Sequence, residues 1–167
     1  MAGLVVDDGQ DLMLSSADQV LVALIVKNTD LGEESVHEIV SQWESDKSSD
    51  LAHWLVEKEH LSRTQVYKLV KARNFALLRK EDKRIVRRIV RKGYISRGDM
   101  NEALDFQKQL YRALGDIKRL QDVLVDDNKL TQDQVDEVWT EYREYLKRRG
   151  ERPVVARTDP SLLKKQG

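Results

Sequence analysis

The sequence predicts an all-α protein of four tandem helix-turn-helix hairpins, packed as a compact helical bundle or short stack. Three observations carry this. A motif of about two dozen residues recurs four times. Helix-start signals stand at one fixed place within each copy. Proline is nearly absent, with only Pro153 and Pro160 near the end, and no strand-like alternation or Asn-Gly turn occurs. Ala, Leu, Glu, Lys and Arg are prominent and aromatics are 6% of the chain, which suits helices.

The copies align on Leu31, Leu61, Ile95 and Leu130. The next residues are Gly32, Ser62, Ser96 and Thr131, and five after the first set come Val36, Val66, Met100 and Val135. Four further on stand Val40, Val70, Leu104 and Trp139. Upstream, Ile25/Val26, Leu55/Val56, Ile89/Val90 and Leu124/Val125 keep one spacing. The units span 20–43, 50–73, 84–107 and 119–142 within a repeat domain of 16–146.

Residues 1–15 carry Asp7, Asp8 and Asp11 without periodicity and read as a flexible N-terminus. The first unit has the weakest helix start, with Gly32 at the cap and Leu31/Val36 as a hydrophobic staple. In the second, Ser62 and Gln65 form a capping box, and Leu61 and Val66 have staple spacing. The third offers Ser96 and Asp99 with Ile95 and Met100, and the fourth Thr131 and Gln134 with Leu130 and Val135. The tail 147–167 holds both prolines and a basic excess, and reads as a flexible extension or docking peptide. A hairpin this small cannot bury its own apolar face, so the four are expected to share a core. The plainer alternative is a generic bundle with ordinary helix starts.

Net charge is zero, yet residues 1–60 hold 13 acidic and 3 basic side chains, a balance of −10. Residues 61–100 hold 13 basic and 3 acidic, a balance of +10. Such asymmetry concerns partners and steering rather than fold. Either the acidic part pairs with the basic segment, within the chain or between copies of a homo-oligomer, or the basic segment meets an external anion. Arg84, Arg87, Arg88 and Arg91 fall at i, i+3, i+4 and i+7, one helical face, with Ile85, Val86, Ile89 and Val90 opposite. A solvated or internally paired face, a phosphate-bearing ligand and an acidic protein partner all fit. Nucleic acid is disfavoured: Gly98, Asp99, Asn101 and Glu102 suit base edges poorly, and the overall charge is balanced.

Cysteine is absent, which excludes disulfide and thiolate chemistry. The longest apolar run, Val20 to Val26, is too short to cross a bilayer, and no signal peptide is expected at the start. A cytoplasmic protein without membrane insertion is expected. His53 and His60 flank HWLVEKEH, which is neither zinc-helix pattern, and no phosphate loop or nucleophile elbow appears. No metal and no enzymatic activity are therefore expected. The many Asp and Glu residues read as helix surface, and Trp43, Trp54 and Trp139 as core or inter-unit packing.

The units resemble the motif of the MshEN domain, found at the N-termini of type II secretion and type IV pilus ATPases. That motif runs as Arg-Leu-Gly, apolar pairs around a Gly, then a helix ending in Gln. Related hairpins occur beside bacterial signalling kinases, and LAHWLVEKEHLSRTQVYKLV is similar to those. The third unit matches best: Arg84, Ile85, Ile89, Val90, Gly93, Tyr94, Ile95, Leu104 and Gln107. The fourth has Arg119, Leu120, Leu124, Val125 and Leu130, with Asn128 for Gly and Tyr142 for Gln. Val20 and Asp50 replace the Arg in the first two units, Thr29 and Glu59 the Gly, and Trp43 and Arg73 the Gln. The resemblance implies cyclic di-GMP as a ligand of the third and fourth units, with Arg84 and Arg119 as phosphate or guanine contacts. The Gly position wants a left-handed backbone, which Asn128 tolerates, Thr29 suits poorly and Glu59 adopts at a cost. The expected function is a bacterial adaptor or regulatory module for a protein partner; the alternative is a cyclic di-GMP sensor, with Arg84, Arg87, Arg88, Arg91, Gly93, Gln107 and Arg119 as the candidate site.

Overall fold

The computed structural model describes residues 14–154, and all its regular structure is helical. Seven helices occur among the described residues: α1 (Ser16–Asn28), α2 (Glu33–Asp46), α3 (Leu51–Glu57), α4 (Arg63–Arg91), α5 (Arg97–Leu114), α6 (Leu120–Asp126) and α7 (Gln132–Arg148). The described residues divide into two compact units, 14–74 and 75–154.

The turns form for the reasons their sequences give. Ser62 Oγ accepts from the Gln65 amide at 3.1 Å, and Gln65 Oε1 accepts from the Ser62 amide at 2.9 Å. Ser96 with Asp99, and Thr131 with Gln134, close the same reciprocal box. Gly32 supplies no side-chain cap. Two orphan amides are satisfied at each box, which fixes where the second helix starts.

The preceding helix ends are equally regular. Glu59, Gly93 and Asn128 stand in the left-handed region with φ of 59°, 81° and 59°. The next amide, from His60, Tyr94 or Lys129, reaches back to the carbonyl of Leu55, Ile89 or Leu124 at 3.0, 3.3 and 2.9 Å. This is the Schellman closure. Thr29 departs from it, with φ −128°. Its hydroxyl instead donates to Ile25 O at 2.7 Å and accepts from the Leu31 amide at 3.2 Å. A β-branched residue avoids the left-handed region, and a hydroxyl closes the turn without it.

Three expectations need correction. The four units do not share one core. One apolar cluster, in the first unit, gathers residues of 21–70 around Leu21, Val36, Leu55, Val66 and Val70. Another, in the second, gathers residues of 85–146 around Ile85, Ile89, Leu120, Leu124, Val138 and Tyr142. Nor is every repeat set off from the next by a loop. The second helix of the second repeat and the first of the third are one helix, α4, of 29 residues. Nothing between Arg73 and Arg84 breaks a helix, so propagation costs less than a new nucleus. Finally, the tail does not begin at Lys147. Helix α7 runs to Arg148, and Gly150 at φ 68° turns the chain so that the Val154 amide meets Glu81 Oε2 at 2.7 Å. Residues 1–13 and 155–167, most of both termini read as flexible, lie outside the described residues.

The tryptophans pack as the repeat frame implies. Trp43 and Trp54 are buried, their indole N–H groups donating to Ser49 O and Asp46 Oδ2 at 2.9 and 2.8 Å. Trp139 is half-buried and meets Tyr142 edge-on. Among the described residues no helix is long and apolar enough to cross a membrane.

Candidate functional site

In the second unit, α4 presents two very different faces. Ile85, Val86 and Ile89 are wholly buried. Glu81 and Asp82 lie on the same inward side, 3% and 0% exposed, although acidic residues were expected at the surface. The wheel makes this legible in hindsight, since 81, 85 and 89 differ by four residues. With both acids turned in, the outward arc between residues 79 and 92 carries only cations: Arg79, Lys80, Lys83, Arg84, Arg87, Arg88, Arg91 and Lys92.

What holds the acids inside is Arg119, at the N-cap of α6. Its Nε donates to Asp82 Oδ1 at 2.6 Å and its Nη2 to Glu81 Oε1 at 2.7 Å. Asp82 Oδ2 accepts from Gln107 Nε2 and from the Leu120 amide, both at 2.9 Å. Asp82 thereby caps α6 from another helix. The second repeat needs no such help, because Asp50 caps α3 itself through the His53 amide. Gln107, 0% exposed, also donates to Lys118 O at 2.9 Å and accepts from Arg79 Nη1 at 3.1 Å.

Burial pushes the Asp82 carboxyl above the ordinary range, against the pull of Arg119 and of the Leu120 amide. Burial would lower Arg119, but Asp82 and Glu81 outweigh it and the guanidinium is held above its usual value. Burial prevails at Asp82, whose side chain is wholly enclosed, and the charge partners prevail at Arg119, which keeps 22% of its surface in water. Three donors converging on Asp82, one of them charged, support the ionised pair.

The seven sequence-derived candidates thus separate. Gln107 and Arg119 spend their hydrogen bonds inside the chain. Arg84, Arg87 and Arg91 are exposed and Arg88 is partly so. None of these four has a carboxylate within ion-pair distance among the described residues. Arg88 instead lies over the Tyr145 and Tyr142 rings at 4.7 and 5.8 Å. Arg84 is near the Tyr142 hydroxyl and pulls against the rise that burial gives that phenol. Gly93 ends α4 with nothing within 4 Å of where a Cβ would stand, so its backbone is bare as the motif implies.

Sequence inspection missed Lys80, Lys83 and Lys108. Burial first, then Arg79, Arg87 and Lys108, push the Lys83 ammonium below its ordinary value. Helix α5 brings Lys108 close because Phe75 stacks on Tyr111 at 4.1 Å and Arg79 Nη1 donates to Leu104 O at 2.9 Å. Among the described residues only Lys92, at the end of the arc, has carboxylate partners, Glu137 and Glu141 at 2.8 and 2.6 Å. Among the described residues no cluster of three or more His, Cys, Asp or Glu could hold a metal ion.

No protein-family model, no curated protein and no solved structure matches this chain.

Proposed function

We propose that the protein is a non-enzymatic adaptor or regulatory module that docks an acidic partner protein on the outward face of α4. One observation carries this: Lys80, Lys83, Arg84, Arg87, Arg88 and Arg91 share that face without a carboxylate partner among the described residues. Unpaired like charges repel, and the same helix's own acids are locked to Arg119. The arc from residue 80 to 91 is about 16 Å long at the helical rise. That exceeds the Debye length of about 8 Å at physiological salt, so one small anion neutralises only part of it. A protein surface with spaced carboxylates fits the whole arc, and arginine forks suit bidentate carboxylate pairing. The cytoplasm is the proposed compartment, and the hairpin resemblance points to bacterial signalling or secretion as the setting.

The second reading, a cyclic di-GMP sensor in the third and fourth repeats, is favoured by exposed Arg84 and the bare backbone at Gly93. It requires Arg119 to leave Glu81 and Asp82, or binding through Arg84 alone.

The test places a photoreactive amino acid at Arg87 in the full chain, in cells, with a second at exposed Asp133 as control. A protein crosslinked from position 87, and lost on Arg84→Glu with Arg91→Glu or in high salt, supports the adaptor. Crosslinks that ignore the charge reversal, or nucleic acid as the captured species, overturn it. Thermal stabilisation by cyclic di-GMP that Arg84→Ala abolishes establishes the sensor instead.

A further inference from the structure

The fourth repeat breaks its own pattern at a groove between α6 and α7. Gln121 occupies the position filled by Val22, Ala52 and Val86 in the other three units, each buried in an apolar core. Gln121 is just as buried, 7% exposed, yet its Oε1 is enclosed without any hydrogen-bond partner. A buried acceptor left unmade costs free energy that a valine would not. Trp139, where the other units have Val40, Val70 and Leu104, lines the same groove. Asp122, Gln132, Asp136 and Arg143 complete its polar lining over Val135.

The lining groups share one preference. Gln121 Oε1 and the carboxylates of Asp122 and Asp136 accept hydrogen bonds, although Asp136 already takes one from Gln132 at 2.9 Å. The Trp139 face attracts cations: Arg119 and Arg143 lie over it at 5.4 and 5.9 Å. Arg119 is fixed to Glu81 and Asp82. Arg143 has no carboxylate partner among the described residues and is free to swing aside. Two carboxylates against one guanidinium leave the groove with net negative charge.

We propose that this groove is a binding subsite for an N–H-bearing organic cation, a guanidinium or primary ammonium on an apolar stem. With its amide turned toward the groove, Gln121 accepts the innermost N–H through Oε1, Asp122 and Asp136 supply the counter-charge, and Trp139 stacks on the cation or its stem. Arg143 is the competitor that the ligand displaces from the ring. The cation is either a basic side chain of a partner or a free small amine. This subsite has the opposite charge to the α4 face and stands or falls independently of it.

The test titrates the ¹⁵N-labelled full chain with n-butylguanidinium chloride and with neutral N-butylurea, reading the Trp139 indole N–H signal, assigned through Trp139→Phe. The cation should shift that signal saturably and the urea only weakly. Gln121→Leu should weaken the cation at least about tenfold with the unfolding midpoint unchanged or raised, and exposed Asp122→Asn should weaken it without loss of fold. Arg143→Ala should tighten it. A blocked Gly-Arg-Gly peptide binding more tightly than butylguanidinium assigns a partner side chain; equal binding assigns a free cation. An equal response to the urea, or unchanged binding by Gln121→Leu, overturns the proposal. So does loss of both stability and response in Arg143→Ala, which would make Arg143 the internal partner of Gln121.

Discussion

Replacing Arg119 by alanine should be among the most damaging single changes in this protein. Arg119 is the only cation in contact with Glu81 and Asp82 among the described residues, whose side chains are 2% and 0% exposed. Its removal strands two neighbouring carboxylates in an enclosed site. Breaking a buried ion pair in this way costs about 3–5 kcal/mol. Against a total stability of about 5–15 kcal/mol, that is a large share. For a cooperative unit of this size, each kcal/mol moves the melting temperature about 4–8 °C, so the midpoint should drop by at least about 12 °C. The indole signals localise the loss, since Trp139 lies in the second unit while Trp43 and Trp54 lie in the first. Arg119→Lys keeps the charge but not the fork and should fall between the variant and the parent. The pH dependence supplies an independent sign. Burial already raises the Asp82 carboxyl against the pull of Arg119, so in Arg119→Ala its folded pKa stands further above its unfolded one. The folded state then holds more protons, so the variant should regain stability as pH falls toward the ordinary carboxylate range and lose it as pH rises. A loss below about 1 kcal/mol at neutral pH, the worth of an ordinary surface pair, would refute the reasoning, as would a deficit that deepens on acidification.

Three further outcomes follow from the same geometry. Glu59→Gly should stabilise the first unit by about 0.5–1 kcal/mol, because Glu59 holds φ 59° where glycine has no Cβ penalty; denaturant unfolding followed by tryptophan fluorescence checks it. Thr131→Ala should cost about 1 kcal/mol by opening the capping box of α7, measured by the same method. Glu137 is held below the usual carboxylate value by the Lys92 and Tyr94 hydrogen bonds, and Asp99 by the Ser96 amide. Both depressed carboxyls contribute stability that is lost as pH falls through their folded values, below the ordinary 4.5 and 3.8. Lys92, raised by Glu137 and Glu141, contributes stability lost only as pH climbs above 10.5 toward its folded value. The denaturation midpoint against pH should show that plateau with two falling edges, and Lys92→Met should lessen both.

Local signals determine much of this protein. Helix starts at Ser62, Ser96 and Thr131 are written in neighbours three residues apart, because a capping box is closed by backbone and side chains of one turn. The left-handed ends at Gly93 and Asn128 are equally local. So is the opposition of Arg84, Arg87, Arg88 and Arg91 to Ile85, Val86 and Ile89, which follows from helical periodicity alone. Tertiary structure decided what depends on distant partners. The segregation of apolar residues into two clusters needed the pairing of repeats, which identical hairpin patterns leave open. The burial of Glu81 and Asp82 needed Arg119, Gln107 and the Leu120 amide, 25–38 residues away in sequence. A charged side chain reads as surface until the chain brings it a counter-charge, and only that contact makes its desolvation tolerable. The same contact converts Arg119 and Gln107 from candidate ligand groups into structural ones and leaves the α4 cations from Lys80 to Arg91 without a carboxylate partner among the described residues.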